Sequence, residues 1–462
     1  MTRRPLALAL AMLLLPLCAQ AEDLVQAYEL ARSSDPQLAA AESIRLASRE
    51  GAVQARASLL PQLSGDASYN RSNSESEGSQ AIGGTLFTSD SESDTTSRQY
   101  GLNLRQMVYD HSNITRLRSQ NALAKASDFR LESAGDSLIT RTATAYFNVL
   151  VAMETLAAAE AQETALKKQF DFADKRLEVG LAPITDVHEA RAQYDRARAN
   201  TIVNSNALED AYRALEEITG SDVRALKALP QDFQPELPSA LDAEGWVQAA
   251  LDNNPSLKAK VFELKSAEAN VDTARAAHYP TLYLGGNYGR SRSDGNQTNR
   301  LTSAVSDFEN EGASRSIGLT LSVPIFAGGA TQSQVRQAIA QRDVTGDELE
   351  QQKRALVRNT RNAYRTLVAG ISEVEARKAA VFSARSAYEA SQIGLEVGTR
   401  TVLDVLNNQQ TLFNAEREYA LARYSFLQNR LQLEQSAGTL DLDDLQDVNR
   451  LLTTDIAPKN LP

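Results

Sequence analysis

The sequence predicts a protein of mixed α and β structure, built from two tandem copies of one unit in which a pair of β-strands leads into long α-helices. Three observations support this fold class. Short motifs recur along the chain at an interval of about 218 residues. Segments that alternate apolar and polar residues precede very long segments without proline. The N-terminal segment has the features of an export signal.

Residues 1–21 are predicted to be a cleaved signal peptide. Arg3 and Arg4 supply the basic start, Pro5 to Leu17 is apolar, and Ala19-Gln20-Ala21 fits a cleavage site. The alternative is a membrane anchor, but the apolar run is too short to cross a hydrocarbon core of about 30 Å. Lipidation of Cys18 is not expected, because the preceding residue is Leu17 rather than a small residue.

Composition excludes several classes of function. Cys18 is the only cysteine, so the mature chain is expected to have no disulfide, reactive thiol or thiolate metal site. The chain has 48 basic and 59 acidic residues, a net charge of −11 that argues against a nucleic-acid partner. Beyond the signal no apolar run reaches the length of a membrane helix, which leaves a periplasmic, a secreted or a β-barrel protein.

The duplication is recognised from motifs that stay in register over most of the chain. The matching segments are Ala55-Arg56-Ala57 with Ala274-Arg275-Ala276, Ala145-Tyr146 with Ala363-Tyr364, Val179-Gly180 with Val397-Gly398, and Gly220 with Gly438. The first copy is assigned to 22–230 and the second to 231–440, with a proline-marked linker at 221–245. Residues 441–462 form an acidic tail outside the repeat.

Each copy is predicted to contain the same elements in the same order. The first has helices at about 36–60, 112–178 and 186–219, and strands at about 62–71 and 98–109. The second has helices at about 255–279, 331–397 and 404–437, and strands at about 281–290 and 315–326. Helices as long as the middle one of each copy need lateral partners, because helix propensity alone stabilises them little.

The predicted strands alternate apolar and polar residues, as strands that cross an outer membrane do. In 315–326 the apolar Ile317, Leu319 and Leu321 alternate with small polar residues. Such strands suit a tilted crossing of an outer membrane, although a soluble sheet with one buried face has the same pattern. The long polar segments 72–97 and 292–313 are expected to be loops exposed outside the cell. Four strands are too few to close a barrel, so a membrane role requires several chains.

Other classes of protein are less well supported. His111, His188 and His278 are far apart, and no HExxH, GxSxG or phosphate-binding motif is present, so we expect neither an enzyme nor a cofactor or metal site. A long-helix surface protein or adhesin would explain the helices but not the duplicated strands.

The sequence resembles the TolC family of outer-membrane efflux ducts, in its generalist members without a lipid anchor. The residues that carry the resemblance are Leu59-Leu60-Pro61-Gln62-Leu63, Thr144 to Leu150, the segment 179–195, and Val397 to Leu406. The resemblance implies a homotrimer in which three sets of four strands form one twelve-stranded outer-membrane β-barrel, in contact with lipid. It also implies a periplasmic α-barrel of twelve helices, with a belt around it formed by the linker and the tail.

The resemblance further implies partners and a cargo. The expected partners are a periplasmic adaptor (membrane fusion) protein and an inner-membrane pump of the RND, ABC or MFS class. Together they would pass drugs or secreted proteins through one duct.

The connections between the paired helices are expected to form a periplasmic gate. Arg400 resembles the latch arginine of the family, Thr185 and Asp186 resemble its partners on the neighbouring helix pair, and Gln169 matches a further latch position. Two positions depart from the family pattern: Leu395 replaces a tyrosine and Gln392 replaces a glutamate. We therefore expect a gate that opens more readily than is usual in the family.

Below the gate, Asp404 matches the aspartate of the family's pore constriction, where three carboxylates would favour cations. The second acid of that constriction is Asn407 here, so weaker cation selectivity is expected. Asp404 is also suited to capping the helix that starts near it. The pairs Val179-Gly180 and Val397-Gly398 fit helix C-caps, and the resemblance implies that these turns contact the adaptor.

Overall fold

The computed structural model describes residues 23–83, 85–181, 183–238 and 241–456. The predicted signal peptide lies outside the described residues. The first half of the chain contains helices α1 (Leu24–Ser34), α2 (Pro36–Ala57), α3 (His111–Glu178) and α4 (Ile184–Thr219), and strands β1 (Gln62–Ile82), β2 (Thr85–Tyr109) and β3 (Leu226–Ala228). The second half contains helices α5 (Ala243–Asn253), α6 (Pro255–Ala276), α7 (Ala330–Glu396), α8 (Val402–Ala437) and α9 (Leu442–Leu451), and strands β4 (Thr281–Asn299), β5 (Ala304–Ser322) and β6 (Thr454–Ile456).

The chain divides into two compact units. The sheet unit consists of Leu46–Ser127 and Lys260–Glu348. The helical unit lies within Met1–Arg45, Asp128–Ala259 and Leu349–Pro462.

The sheet unit contains a four-stranded antiparallel sheet in the order β1-β2-β4-β5. Within the described residues β1 pairs only with β2, and β5 pairs only with β4. Each of these outer strands therefore presents one edge of unpaired backbone groups.

The strands are much longer than predicted, and the expectation of long loops at 72–97 and 292–313 is wrong. β1 and β2 stay paired from Gln62 with Arg105 out to Ile82 with Thr85, and β4 and β5 stay paired up to Asn299 with Ala304. The ladder bonds join backbone groups, so serine-rich and acidic segments can continue a hairpin. Conversely, β5 ends at Ser322 rather than at 326, because Pro324 has no N–H to donate.

The two faces of the sheet differ in chemistry. Register places Leu63 opposite Leu104 and Leu284 opposite Leu319 on one face, and Ile317 on this face is 79% exposed. The other face carries hydrogen bonds that cross all four strands and join Asp66, Asn103, Asn287 and Ser314 in turn. The amide of Asn103 donates to Asp66 over 2.8 Å, and that of Asn287 donates to Asn103 over 2.7 Å. The hydroxyl of Ser314 donates to Asn287 over 3.4 Å.

The core of the helical unit is built by residues of eight elements, which are α1, α3, α4, β3, α5, α7, α8 and α9. The largest fully buried side chains include Tyr146, Phe147 and Leu150 of α3, Tyr424, Leu427 and Leu431 of α8, Leu215 of α4, Leu24 of α1 and Leu226 of β3, and Leu445 and Val448 of α9 are buried with them. Over the described residues, the structure contains no helix that is both long and apolar enough to span a membrane.

The linker and the tail are more ordered than predicted. Strand β3 of the linker pairs antiparallel with β6 of the tail, and α5 starts inside the segment assigned to the linker. The phenol oxygen of Tyr146 accepts from the N–H of Lys227 over 2.8 Å and donates to its carbonyl over 3.0 Å. A residue of α3 therefore fixes the linker strand. Helix α1 was also not predicted, and it begins with a capping box formed by Asp23 and Gln26.

Candidate functional site at the helix tips

The turns after α3 and α7 have the same backbone geometry. Gly180 and Gly398 have φ values of 73° and 77°, in the left-handed region that glycine adopts without strain. In the first turn Leu181 N donates to the carbonyl of Arg176 over 2.8 Å, and in the second Thr399 N donates to that of Gly394 over 2.8 Å. Both are Schellman motifs, which confirms the predicted C-caps. Beside the glycines, Val179 and Val397 are about two-thirds exposed, at 67% and 68%.

The two tips differ in where the arginine lies. In the first tip Arg176 of α3 donates to the carbonyl of Leu181 over 3.3 Å and so secures the turn. At the corresponding position of α7 stands Gly394, and the stem of Arg400 lies over it. A Cβ on Gly394 would lie 2.6 Å from Arg400 Cγ. The guanidinium of Arg400 is exposed and forms no hydrogen bond or ion pair with any described residue.

The predicted partners of Arg400 lie in the first turn of α4. Thr185 is exposed and Asp186 is partly exposed, and the N–H of Asp186 donates to the carbonyl of Pro183 over 3.2 Å. Among the described residues, the structure does not bring Arg400 into contact with Thr185 or Asp186 of the same chain. All three are accessible to a group from another molecule.

Asp404 lies in the first turn of α8, two residues after its start. The helix begins at Val402 rather than at 404, because Thr401 is the N-cap and Asp404 completes a capping box with it. The carboxylate of Asp404 accepts from the N–H and the hydroxyl of Thr401, each over 2.9 Å. The Thr401 N–H, then its hydroxyl, lower the pKa of Asp404, so this carboxyl is charged at neutral pH. Asn407, one turn further on, is exposed.

Gln169 and Gln392 line the same groove between α3, α7 and α8. Its volume is about 820 Å³, and its other lining residues include Phe172, Tyr388 and Gln409. The amide of Gln392 donates to the hydroxyl of Tyr388 over 2.8 Å, whereas the buried Nε2 of Gln169 has no partner in the described part of the chain. The sequence analysis did not identify Tyr388, because its place in the groove becomes apparent only when the helices are packed.

Leu395 is partly buried and contributes its backbone to the second tip, where its carbonyl accepts from Gly398 N over 3.2 Å. An apolar side chain here has no polar group to offer to a latch. The tyrosine that the resemblance implies at this position would offer a hydroxyl, which leucine lacks.

A buried polar cluster further along the helices was also missed. Arg423 of α8 is 4% exposed, and its guanidinium lies 2.5 Å from Glu154 of α3 and donates to the carbonyl of Pro230 over 3.1 Å. The hydroxyl of Tyr424 donates to Glu154 over 2.9 Å. Loss of solvation on burial, followed by the charge of Glu154, raises the pKa of Tyr424. The cluster joins α3, α8 and the linker. These three segments lie far apart in the sequence, so no local pattern indicates that they meet.

No group of three or more His, Cys, Asp or Glu side chains suited to hold a metal ion occurs among residues 23–83, 85–181, 183–238 and 241–456. The expectation that no cofactor binds stays a prediction.

Comparisons with known proteins identify the family. The model of the outer membrane efflux protein family matches residues 27–221 and 246–439. Outer membrane protein TolC of Escherichia coli (strain K12) is 36% identical over 447 residues, 96% of this chain and 88% of that protein. Alkaline protease secretion protein AprF of Pseudomonas aeruginosa is 31% identical over 425 residues, 92% and 86% of the two chains.

A solved structure gives the same answer for the fold. The CmeC outer membrane channel of Campylobacter jejuni matches with a TM-score of 0.71 at 20% identity, over 94% of this chain and 90% of that one. This chain therefore belongs to the outer membrane efflux protein family.

Proposed function

We propose that this chain is the outer-membrane exit duct of efflux pumps and type I secretion systems, and that three copies form it. The outer-membrane location and the transport role are supported by the family and by relatives that are named for protein secretion and for efflux. One relative at 31% identity is named for secretion of a protease, and another at 26% identity is the solvent efflux pump outer membrane protein SrpC of Pseudomonas putida. The family consists of channels, which does not favour the rival class of an enzyme.

The observation that carries the proposal is the sheet with two open edges and one exposed apolar face. Leu63, Leu319 and Ile317 on this face are 70%, 66% and 79% exposed. Exposing these apolar side chains to water is unfavourable in free energy, whereas contact with lipid is favourable. The opposite face is polar, as the lumen of a water-filled barrel requires. Pairing β5 of each copy with β1 of the next closes twelve strands into a barrel without edges.

In this proposal the long helices form the tunnel across the periplasm. α3 contains 68 residues and α7 contains 67, each about 100 Å long at 1.5 Å per residue. The adaptor contacts the exposed turns at Val179, Gly180, Val397 and Gly398, and the adaptor joins the duct to an RND, ABC or MFS pump.

The gate is proposed to be closed by contacts between helix pairs at the tips. Among the described residues of its own chain Arg400 forms no hydrogen bond or ion pair, so its guanidinium is available to Thr185 and Asp186 of a neighbouring copy through charge-assisted hydrogen bonds. Gln169 and Gln392 line one groove, and the exposed amide of Gln392 can contribute a further contact. Asp404, with Asn407 one turn on, lines the pore constriction, where three carboxylates favour cations.

The experiment is to purify the protein from outer membranes, measure its mass in detergent, and record its conductance in planar lipid bilayers. We expect a trimer that conducts ions with a preference for cations. Arg400→Ala should raise the conductance of the closed channel, while the control Arg354→Ala, which removes an exposed arginine distant in sequence from the tips, should not. A monomer without conductance would overturn the proposed function, and unchanged conductance of the Arg400 variant would remove this residue from the latch.

A further inference from the structure

The apolar face of the four-stranded sheet ends at tyrosines. Along β1 this face carries Leu63, then Ala67, then Tyr69, and along β4 it carries Leu284 and then Tyr288. Tyr69 and Tyr288 are both exposed on it. Tyrosine is enriched where a membrane meets water, because its ring is apolar and its hydroxyl is polar. In the proposed barrel these tyrosines therefore mark the level of the lipid headgroups.

Beyond the apolar residues the same face becomes charged, and its first charges are positive. Strand pairing and alternation place on it the arginines Arg71, Arg98, Arg290, Arg292 and Arg315. Among the described residues of the four strands, only Asp66 and Arg105 are charged on the opposite face. The charge of the strands is therefore concentrated on the face that would meet lipid and its headgroups.

The internal repeat gives each hairpin the same pair of arginines. A shift of 219 residues takes Arg71 to Arg290, and a shift of 217 takes Arg98 to Arg315. The register pairs the first arginine of each hairpin with the residue two positions before the second. The two arginines are therefore diagonal neighbours on one face, about 7–8 Å apart, and their long side chains can converge on one group.

In both hairpins the second arginine lies over a tyrosine. Arg98 Cζ is 5.8 Å from the ring centroid of Tyr69, and Arg315 Cζ is 5.5 Å from that of Tyr288. The attraction between a cation and a ring positions the guanidinium without an acidic partner. Each hairpin thus presents two arginines and a tyrosine together at the outer end of the apolar surface.

The two arginine pairs differ in their acidic neighbours. Arg98 donates to Asp294 over 3.2 Å, in an ion pair that is exposed on both sides. Arg290 and Arg315 form no hydrogen bond or ion pair with any residue that the structure describes. Within the described strands, the residues paired in register with these two arginines include no acid. A charge beside lipid is unfavourable without a counter-ion, so these two arginines need an anion from outside the chain.

We infer that Arg290 and Arg315 bind the phosphate group of a lipid headgroup whose acyl chains lie on the apolar face of the sheet. Arginine matches phosphate well, because its planar fork can donate two parallel hydrogen bonds to the phosphate oxygens. The phosphate lies at the level of Tyr288, and the acyl chains contact Leu284 and Ile317 on the same face. This inference rests on the proposed function for the placement of the sheet in a membrane, and it adds the lipid chemistry that the sheet selects.

Arg71 and Arg98 form a second, weaker site of the same kind. The carboxylate of Asp294 already neutralises Arg98 and repels a phosphate from it. Replacing these two arginines by glutamine should therefore weaken lipid binding less than replacing Arg290 and Arg315. A larger loss from the first pair would overturn the assignment of the site to the second.

The test is to measure lipid binding to the purified protein in a neutral detergent by native mass spectrometry. The probes are lipid A, which carries phosphate groups on a sugar headgroup, and lipid A from which the phosphates have been removed. We expect the unaltered protein to bind the phosphorylated form at least about tenfold more tightly. Equal affinity for the two forms would overturn the inference, and this comparison depends on no variant.

A pair of variants tests the residues. Arg290→Gln combined with Arg315→Gln should lower the affinity for lipid A by about tenfold or more. The matched control is Arg300→Gln combined with Arg354→Gln, which removes the same charge from exposed arginines elsewhere. Arg300 follows the end of β4, roughly 33 Å beyond Arg290 along the strand. The control should bind lipid A as the unaltered protein does, and an equal loss in both variants would show an effect of net charge alone and overturn the assigned site.

Inorganic phosphate distinguishes a lipid headgroup from a free anion. It can contact the arginines but gains nothing from the apolar face, whereas each buried methylene of a lipid chain is favourable. We expect inorganic phosphate to displace lipid A only at concentrations at least about a hundredfold above that of the lipid. Displacement at equal concentration would assign the site to free phosphate and overturn the lipid proposal.

The outcomes also separate this inference from the proposed function. A trimer that conducts ions in bilayers, yet binds both forms of lipid A equally, overturns the inference and leaves the proposed function intact. A protein that neither assembles nor inserts into bilayers overturns both.

Discussion

Replacing Gly438 by alanine tests how α8 ends against the start of α6. Gly438 is the C-cap of α8 with φ at 69°, and a Cβ there would lie 2.5 Å from Asn254 Cα and 2.6 Å from Asn254 N. Both contacts are with backbone, so no side-chain rotation can relieve them. Asn254 also donates to the carbonyl of Ser436 over 3.1 Å and caps α6 through the N–H of Leu257, so a displaced backbone would disturb both bonds.

The expected loss of stability is the sum of two effects. Placing alanine in the left-handed region costs about 1 kcal/mol. Forcing an extra carbon into a packed backbone contact costs about 1–3 kcal/mol more. Gly438→Ala should therefore lower the free energy of unfolding by about 2–4 kcal/mol. The control is Gly398→Ala, which has φ at 77° but nothing within 4 Å of the new Cβ, and which should lose only about 1 kcal/mol.

The measurement is the thermal unfolding midpoint of each purified variant in the same detergent, followed by the helical signal in circular dichroism. Gly220→Ala provides an intermediate case, because its Cβ would lie 2.9 Å from the side chain of Ser34 rather than against backbone. We expect the midpoints to fall in the order Gly398, Gly220, Gly438, with the last variant the least stable. Equal losses for Gly438→Ala and Gly398→Ala would show that conformational strain alone matters and would refute the packing argument.

Three further perturbations follow from the structure. Arg423→Ala should destabilise the protein by about 2–3 kcal/mol because it removes a buried guanidinium and leaves the carboxylate of Glu154, which is one-quarter exposed, without its cation. The control Arg385→Ala, which breaks an exposed ion pair, should cost less than about 1 kcal/mol by the same unfolding assay. Burial, followed by the charge of Asp444, raises the pKa of Glu434 to about 7 from 4.5, so stability falls as pH rises between these values. Glu434→Gln should abolish this fall and add roughly 2–3 kcal/mol at about pH 8, and a midpoint profile unchanged by the substitution would contradict it. Asp404→Ala should reduce cation selectivity in bilayers, and selectivity equal to that of the unaltered channel would exclude a role in the constriction.

Several features could be predicted from local patterns in the sequence. The alternation of Leu319 and Leu321 with polar neighbours, the absence of proline from the long helices, and glycines at Gly180 and Gly398 each report on a few consecutive residues. Such residues interact mainly with their own backbone and with solvent or lipid on one side, so their types constrain the local conformation. The internal repeat and the family resemblance could also be recognised from the sequence, because both are read from short motifs and their spacing and need no knowledge of which residues are in contact.

Other features depend on residues that lie far apart in the sequence. The extent of β1 was underestimated because its outer half is held by backbone pairing with β2 and not by side-chain alternation. The contact of Arg423 with Glu154 exists only once α3 and α8 are packed together, and the groove shared by Gln169 and Gln392 exists only once α3, α7 and α8 are packed.

The sequence by itself therefore determined the class of elements, their order and their family, while the tertiary structure decided where strands end, what holds the linker, and which tip residues meet. The physical reason is the separation along the chain of the residues that interact. Helix and strand periodicity and helix caps arise from interactions over a few residues, which a sequence records directly. The burial of a charged side chain and the closing of a groove depend on the distances between segments far apart in the sequence, and only the packed chain defines those distances.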